Sequence, residues 1–244
     1  MQPDISQYRA FYDARLGTIS RRLIRARLRA IWPRVDGLTI VGLGYATPYL
    51  APFVDTANVV ACMPAEGGAV AWPRAGRNRV ALGDDTNLPF DDASIDRVIL
   101  IHSLETSEVW RSLLRQVWRM LRPDGRLIVV APNRRGLWSF LGDTPFADGH
   151  PYSRGQLQRR LGEAMFLPER WEGALYGPPA RWSFVMRTGR AWERLGRTLY
   201  PGIPGVWIVE ASKAMYAPAA PARPNASRRP RLAPAAARQL TRTS

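Results

Sequence analysis

The chain has 244 residues, 46% of them hydrophobic, which predicts one globular domain with short appendages. Its formal net charge is +15, and it contains one cysteine and two histidines. These counts exclude a disulfide framework and a cysteine zinc site within the chain, and they disfavour a histidine-rich metal site. No apolar stretch approaches the roughly 20 residues of a membrane span, so we expect a cytoplasmic protein without a transmembrane segment.

The positive charge is concentrated at the two ends of the sequence. Residues 217–244 carry six arginines and no acid, and residues 1–36 carry eight arginines against three aspartates. Lys213 is the sole lysine, a bias that a GC-rich genome explains as readily as phosphate recognition does. Solvated charged ends are the simpler interpretation, and binding of nucleic acid through these ends is the alternative.

An amphipathic helix is predicted near the N-terminus. Residues 15–32 repeat apolar side chains at intervals of three and four, with arginines on the opposite face, and Pro33 and Gly37 end the pattern. The apolar face of such a helix binds either an anionic membrane surface or the surface of the following domain, and we favour packing on the domain. We therefore assign residues 1–35 to an N-terminal amphipathic helix.

Short apolar runs then alternate with helical patterns. Five runs rich in β-branched residues have the pattern of parallel strands covered on both faces, at residues 38–42, 58–62, 78–82, 95–101 and 126–132. A helical stripe over 105–121 ends in the turn 122–125. The remaining predicted elements are a helix at 156–166 capped by Ser153, a strand at 170–175, a helix at 181–199 and a strand at 205–212. This alternation predicts an open α/β sheet over residues 36–213.

The C-terminal segment differs in composition from the rest of the chain. Residues 214–244 are dominated by Ala, Pro and Arg and show no periodicity. A segment of this kind cannot bury enough apolar surface to offset the entropy of ordering. We therefore predict a basic disordered tail over 214–244.

Three segments carry the signatures of a known family. They are IVGLGYA (40–46), GDDTNLPFDDASIDRVILIHSLE (83–105) and MLRPDGRLIVVAPN (120–133). In this order and spacing, the chain resembles the class I S-adenosylmethionine-dependent methyltransferases of the type 11 group. The resemblance implies a Rossmann-like seven-stranded sheet with an antiparallel last strand and helices on both faces. It also implies S-adenosyl-L-methionine as the methyl donor.

The resemblance implies a cofactor site at the carboxyl ends of the strands, where ligands of open α/β sheets bind. The residues concerned are Gly42, Gly44, Met63, Asp84, Asp85 and His102. Asp84 would accept a hydrogen bond from the adenine amino group, and Asp85 would present its backbone nearby. Each role has an alternative. The glycines suit a tight strand-to-helix turn, Asp84 suits a turn or a helix cap, and a histidine here is more often a packing residue than a base.

The cofactor motif departs from the family pattern at three positions. Ile40 stands where an acid usually precedes the first glycine, and Ala46 replaces the third glycine. Met63 replaces the acid that holds the ribose diol, and a thioether cannot replace a carboxylate as acceptor for two hydroxyl groups. We expect this loss to weaken cofactor binding roughly ten- to a hundredfold.

We predict that the loop over residues 133–153 binds the methyl acceptor, because it is longer than a connection between two elements requires. Its cations and aromatic rings suit an anionic or flat acceptor, and the candidates are Arg134, Arg135, Trp138, His150 and Tyr152. The alternative is that the loop forms a lid whose side chains pack together for stability. No catalytic residue is assigned, because methyl transfer from a sulfonium needs alignment of donor and acceptor rather than a nucleophile of the protein.

Two functions follow from these patterns. The first is methyl transfer from S-adenosylmethionine to an unidentified acceptor, favoured by the Gly-x-Gly, by Asp84 and by the arginine-rich loop. The alternative is a non-catalytic relative that keeps the fold as a binding or assembly module, on RNA or a ribonucleoprotein. Ile40, Ala46 and Met63 favour that alternative. The sequence assigns neither the acceptor nor the oligomeric state.

Overall fold

The computed structural model describes residues 5–140, 144–179, 189–199 and 202–214. Within these ranges, seven strands form one sheet: β1 (Thr39–Gly44), β2 (Asn58–Pro64), β3 (Val80–Gly83), β4 (Ile95–Ile101), β5 (Leu121–Pro132), β6 (Phe166–Ala174) and β7 (Val206–Lys213). Their order across the sheet is β3-β2-β1-β4-β5-β7-β6. All five strands predicted before residue 133 are present, with bounds that differ from the prediction by a few residues.

The strand directions agree with the predicted topology. β1 to β5 pair in parallel, whereas β7 runs antiparallel to both of its neighbours, β5 and β6. The antiparallel last strand and the crossover order confirm the Rossmann-like class I methyltransferase sheet. Because β1 to β5 are parallel, their carboxyl ends lie along one edge of the sheet, and the loops that follow them meet there.

The described helices are α1 (Ile5–Asp13), α2 (Arg15–Ile31), α3 (Thr47–Leu50), α4 (Trp110–Met120), α5 (Arg154–Glu163) and α6 (Gly189–Leu199). The predicted cap of α5 is present as a capping box. The Ser153 side chain accepts a hydrogen bond from the backbone N–H of Gln156, and the Gln156 side chain accepts one from the backbone N–H of Ser153. Of the predicted helix 181–199, residues 181–188 lie outside the described ranges, as does the predicted tail beyond residue 214.

Helices cover both faces of the sheet, as the apolar strands require. On one face, α1, α2 and α3 pack through side chains such as Ile24, Leu28 and Tyr49. On the other face, α4 and α5 pack through Leu113 and Leu157. A fully buried aliphatic side chain of this kind contributes roughly 1.5–3 kcal/mol, so each layer is held mainly by its apolar stripe. No helix in the described ranges is long and apolar enough to cross a membrane.

The N-terminal segment contains two helices where the sequence pattern indicated one. α1 and α2 are separated at Ala14, whose backbone is extended (φ −72°, ψ 159°). The apolar stripe of α2 is buried in the domain, as the packing interpretation expected. On α1, Tyr8 and Tyr12 lie four residues apart, so they share one helix face, and their exposed fractions are 5% and 2%. This face packs on the carboxyl edge of the sheet.

Candidate functional site

Residues that follow three different strands meet at the carboxyl edge. Gly44, Asp85 and His102 line one cavity of about 20 Å³, which we call the small cavity. Ile5 and Tyr8 of α1 close it from above. The structure thus brings together three of the predicted cofactor residues, and it adds a helix that the sequence analysis did not place there.

The two glycines of the predicted cofactor loop are required by close packing. Gly44 has φ +79°, and a Cβ there would clash with the carbonyl oxygen of Ile101 and lie 2.8 Å from that of His102. At Gly42, a Cβ would lie 2.6 Å from the Cβ of Ala46 and 2.7 Å from a methyl carbon of Leu50. Tight packing of the strand-to-helix turn therefore explains both glycines without a ligand.

The two adjacent aspartates occupy different environments. Asp84 is exposed, and its carboxylate accepts hydrogen bonds from the backbone N–H of Thr86, at 2.7 Å, and from the Thr86 hydroxyl. These bonds lower the pKa of Asp84 and give it the role of a turn residue. Asp85, by contrast, lines the small cavity. Of this pair, Asp85 therefore borders the small cavity, whereas Asp84 does not.

His102 belongs to a buried polar chain that reaches α1. Its Nε2 lies 2.6 Å from the hydroxyl oxygen of Tyr12, which lies 2.8 Å from that of Tyr49. Burial raises the pKa of both tyrosines above the usual value, so both phenols are neutral at physiological pH. On the other side of the ring, His102 Nδ1 lies 3.5 Å from Oε1 of Glu105. These contacts therefore link the N-terminal helix to a carboxylate in the loop after β4.

Glu105 is a buried carboxylate with incomplete pairing. Its exposed fraction is 1%, and neither carboxylate oxygen makes a hydrogen bond to a residue that the structure describes. Burying a carboxylate in this state costs several kcal/mol, unless a cation or further donors compensate. The sequence analysis missed Glu105, Tyr8 and Tyr12. The available signals were the His-x-x-Glu spacing after β4 and two tyrosines four residues apart.

Aromatic stacking holds α1 over the site. The Tyr8 ring stacks on Tyr45, with centroids 5.2 Å apart and planes at 13°, and lies 4.9 Å from the His102 ring. Tyr12 stacks on the same Tyr45 ring at 5.7 Å. A space of about 20 Å³ has room for about one water molecule. A nucleoside-sized ligand therefore enters the small cavity only when α1 moves.

Met63 does not line the small cavity with Gly44, Asp85 and His102. It ends β2, is 1% exposed and lines a second cavity of about 770 Å³ between α1, α2, the start of α3 and residues 70–74. We call this the arginine cavity, because Arg9, Arg21, Arg25 and Arg74 line it. Its volume lies within the roughly 300–1,000 Å³ of small-molecule sites. Tyr45 lines both cavities.

The predicted acceptor loop divides into a packed part and an exposed part. Trp138 and Tyr152 are buried: the indole Nε1 donates to the carbonyl of Gly177 at 2.7 Å, and the Tyr152 hydroxyl donates to that of Leu104 at 2.9 Å. Burial raises the pKa of Tyr152 to about 12. The exposed candidates are Arg134, Arg135 and His150. The two aromatic candidates are thus packing residues, and residues 141–143 lie outside the described ranges.

Comparison with known proteins points to one family. Residues 40–129 match the family model described as a methyltransferase domain. The demethylmenaquinone methyltransferase of Deinococcus radiodurans is 28% identical over 145 residues, which cover 57% of this chain and 59% of the relative. That of Thermus thermophilus is 27% identical over 138 residues, covering 56% of each. The matches thus span less than two thirds of these relatives.

Solved structures share the fold at low sequence identity. A chain from the complex of the Haloferax volcanii Trm112 methyltransferase activator with a methyltransferase has a TM-score of 0.60 and 17% identity, covering 87% of this chain and 99% of that one. The S-adenosylmethionine-dependent methyltransferase of Mesorhizobium loti has a TM-score of 0.53 and 16% identity, covering 77% and 96%. The family model and the shared fold confirm the resemblance: the chain has the class I S-adenosylmethionine-dependent methyltransferase fold, and residues 40–129 match the model of a methyltransferase domain.

Proposed function

We propose that this chain transfers a methyl group from S-adenosylmethionine to an unidentified acceptor, with the donor bound at the small cavity. The observation that carries this proposal is the convergence of Gly44, Asp85 and His102 from three strand ends, with the buried carboxylate of Glu105 3.5 Å from Nδ1 of His102. These positions are also those at which the family resemblance implies cofactor contacts.

The charge of the donor fits the residues at this edge. S-adenosylmethionine carries a sulfonium and an ammonium group, and a buried carboxylate without hydrogen bonds is stabilised by a nearby cation. Glu105 supplies that carboxylate, and Asp85 lines the same cavity. When bound, the cofactor supplies the electrophilic methyl group. The protein contributes orientation and exclusion of water, which are the main requirements of a direct displacement.

Opening of α1 is part of the proposal, because the small cavity has room for about one water molecule. The contacts that open are the stack of Tyr8 on Tyr45 and the hydrogen bond between Tyr12 and His102. The apparent dissociation constant for the donor equals the intrinsic constant divided by the fraction of molecules in which α1 is open. Together with Met63 at the ribose position, this closure predicts weak binding.

The acceptor is a separate question. Demethylmenaquinone is the first compound to test, because both curated relatives are named for it. The exposed Arg134, Arg135 and His150 suit an acceptor with anionic groups. A loss of activity in Arg134→Gln and Arg135→Gln, without loss of donor binding, would support this role for the loop.

The donor site is tested by calorimetric titration with S-adenosylmethionine. Wild-type protein is expected to bind one equivalent weakly. Glu105→Gln, which removes the buried negative charge, is expected to bind at least about tenfold more weakly. Glu163→Gln is the matched control, because it removes an exposed carboxylate at the end of α5. Absence of heat from wild type at millimolar ligand would contradict the proposal.

The second candidate is a non-catalytic module that binds RNA or a ribonucleoprotein. The closed small cavity and Met63 in place of the ribose acid are the observations that favour it. This function requires binding to single-stranded RNA that weakens steeply with salt and that falls when residues 217–244 are deleted. Salt-insensitive binding, or none, would remove this candidate.

A further inference from the structure

The arginine cavity concentrates positive charge at the carboxyl end of β2. Its lining includes Arg9, Arg21, Arg25 and Arg74 but only one acid, Asp13. Asp13 pairs with Arg9 at 3.8 Å on the exposed side of α1. Arg21, Arg25 and Arg74 make no salt bridge to a carboxylate in the described ranges. Three guanidinium groups thus border one open space without counter-charges.

Arginines elsewhere in the described part of the chain include several with carboxylate partners. Six of them form salt bridges with carboxylates: Arg27 with Glu193, Arg111 with Glu163, Arg119 with Asp92, Arg122 with Asp96, Arg126 with Glu169 and Arg170 with Glu172. Others, such as Arg134 and Arg135, form no salt bridge within the described ranges, so lack of a partner alone does not mark the cavity. What distinguishes the cavity is the absence of carboxylates on its described walls apart from Asp13.

Crowding of these cations carries an electrostatic cost. Burial lowers the pKa of Arg25, and the neighbouring charge of Arg21 lowers it further. The Arg25 Nε donates a hydrogen bond to the carbonyl of Pro48, which fixes the guanidinium beside the start of α3. A bound anion would remove this repulsion, and guanidinium groups match the oxygens of phosphate and carboxylate groups in geometry as well as charge.

The remaining walls of the cavity are aromatic and apolar. Tyr45 and Trp72 contribute rings, and Met63, Val70 and Pro73 contribute aliphatic surface. A small-molecule site typically combines such a surface with a few well-placed polar groups. The cavity therefore presents two features to a ligand, a cationic wall and a flat apolar wall.

We propose that the arginine cavity binds a small molecule that carries a phosphate or a similar compact anion on a flat aromatic body. This inference goes beyond methyl transfer and does not depend on it, because the arginines that would hold the anion line the arginine cavity and not the small cavity. A small molecule is favoured over a polymer because the space has a volume of about 770 Å³ and is bounded by α1, α2 and residues 70–74.

The test compares two probes that share the aromatic body and differ in charge, ADP and adenosine. Calorimetric titration of the full chain is expected to give saturable binding of one ADP, with affinity that falls as salt is raised. Adenosine is expected to bind far more weakly. Arg21→Gln and Arg74→Gln should each weaken ADP binding about 10- to 100-fold, the loss of one charge-assisted contact.

Arg22→Gln is the matched control, because Arg22 is exposed, lies next to Arg21 on α2 and does not line the cavity. It should leave ADP binding unchanged. Equal weakening by Arg22→Gln, or no binding of ADP at low salt, would overturn the proposal. Binding of a single-stranded RNA oligonucleotide without binding of ADP would also overturn it, in favour of a nucleic-acid site.

Discussion

The small cavity and the arginine cavity lie side by side at the carboxyl edge, yet they differ in volume and charge. Three of the predicted cofactor residues, Gly44, Asp85 and His102, line the small cavity, but α1 leaves it about 20 Å³. The arginine cavity has about 770 Å³, but Met63 and four arginines line it. One ring, Tyr45, contributes to both. Motif residues therefore fix where a ligand would be recognised, whereas packing of the N-terminal helix fixes how much space it has.

The largest expected effect concerns Gly44 at the edge of the small cavity. Gly44→Ala should lower the free energy of unfolding by about 2–6 kcal/mol, because the new Cβ adds backbone strain and a clash with the loop after β4. Gly37→Ala is the matched control: Gly37 also has positive φ (+73°), but no atom lies within 4 Å of its ideal Cβ. Gly37→Ala should lower the free energy of unfolding by only about 1–2 kcal/mol. Urea unfolding measures both, and equal losses would contradict packing as the reason for Gly44.

The second prediction concerns the polar chain beneath α1. Tyr12→Phe should destabilise the protein by about 1–3 kcal/mol, because it leaves Nε2 of His102 buried without its partner. Tyr8→Phe is the control, since the Tyr8 hydroxyl makes no hydrogen bond within the described ranges. It should change stability little. Thermal unfolding distinguishes the two variants, and similar behaviour would show that ring packing alone holds α1.

Much of the fold is predictable because it depends on local periodicity. β4 lies at residues 95–101 as predicted, because a β-branched run buried on both faces has few alternatives. The Ser153 cap is likewise local. The site is less predictable. Gly44, Asp85 and His102 converge because strand ends fix their positions. Closure of the small cavity depends on contacts of Tyr8 and Tyr12 with His102, about 90 residues away in the sequence, which no local pattern encodes.

The third prediction concerns one substitution that should change the affinities for S-adenosylmethionine and ADP in opposite directions. Met63→Asp adds a carboxylate at the ribose position inside the arginine cavity. It should tighten binding of S-adenosylmethionine roughly tenfold, by supplying acceptors for the ribose hydroxyls. It should weaken binding of ADP, by neutralising part of the cationic wall. Met63→Leu, which nearly conserves volume, should change neither affinity. Calorimetry with both ligands measures the two affinities, and a parallel change for both would contradict the opposite effects expected of a carboxylate at this position.

Closure of the donor site by α1 is the central claim, and the affinity of Tyr8→Ala for S-adenosylmethionine tests it most directly. Loss of the ring removes the stack on Tyr45 and the contact with His102, so α1 opens at lower cost. The account predicts weak binding by wild type and roughly tenfold tighter binding by Tyr8→Ala in calorimetric titration. Unchanged or weaker binding by Tyr8→Ala, in protein shown to be folded by circular dichroism, would contradict it.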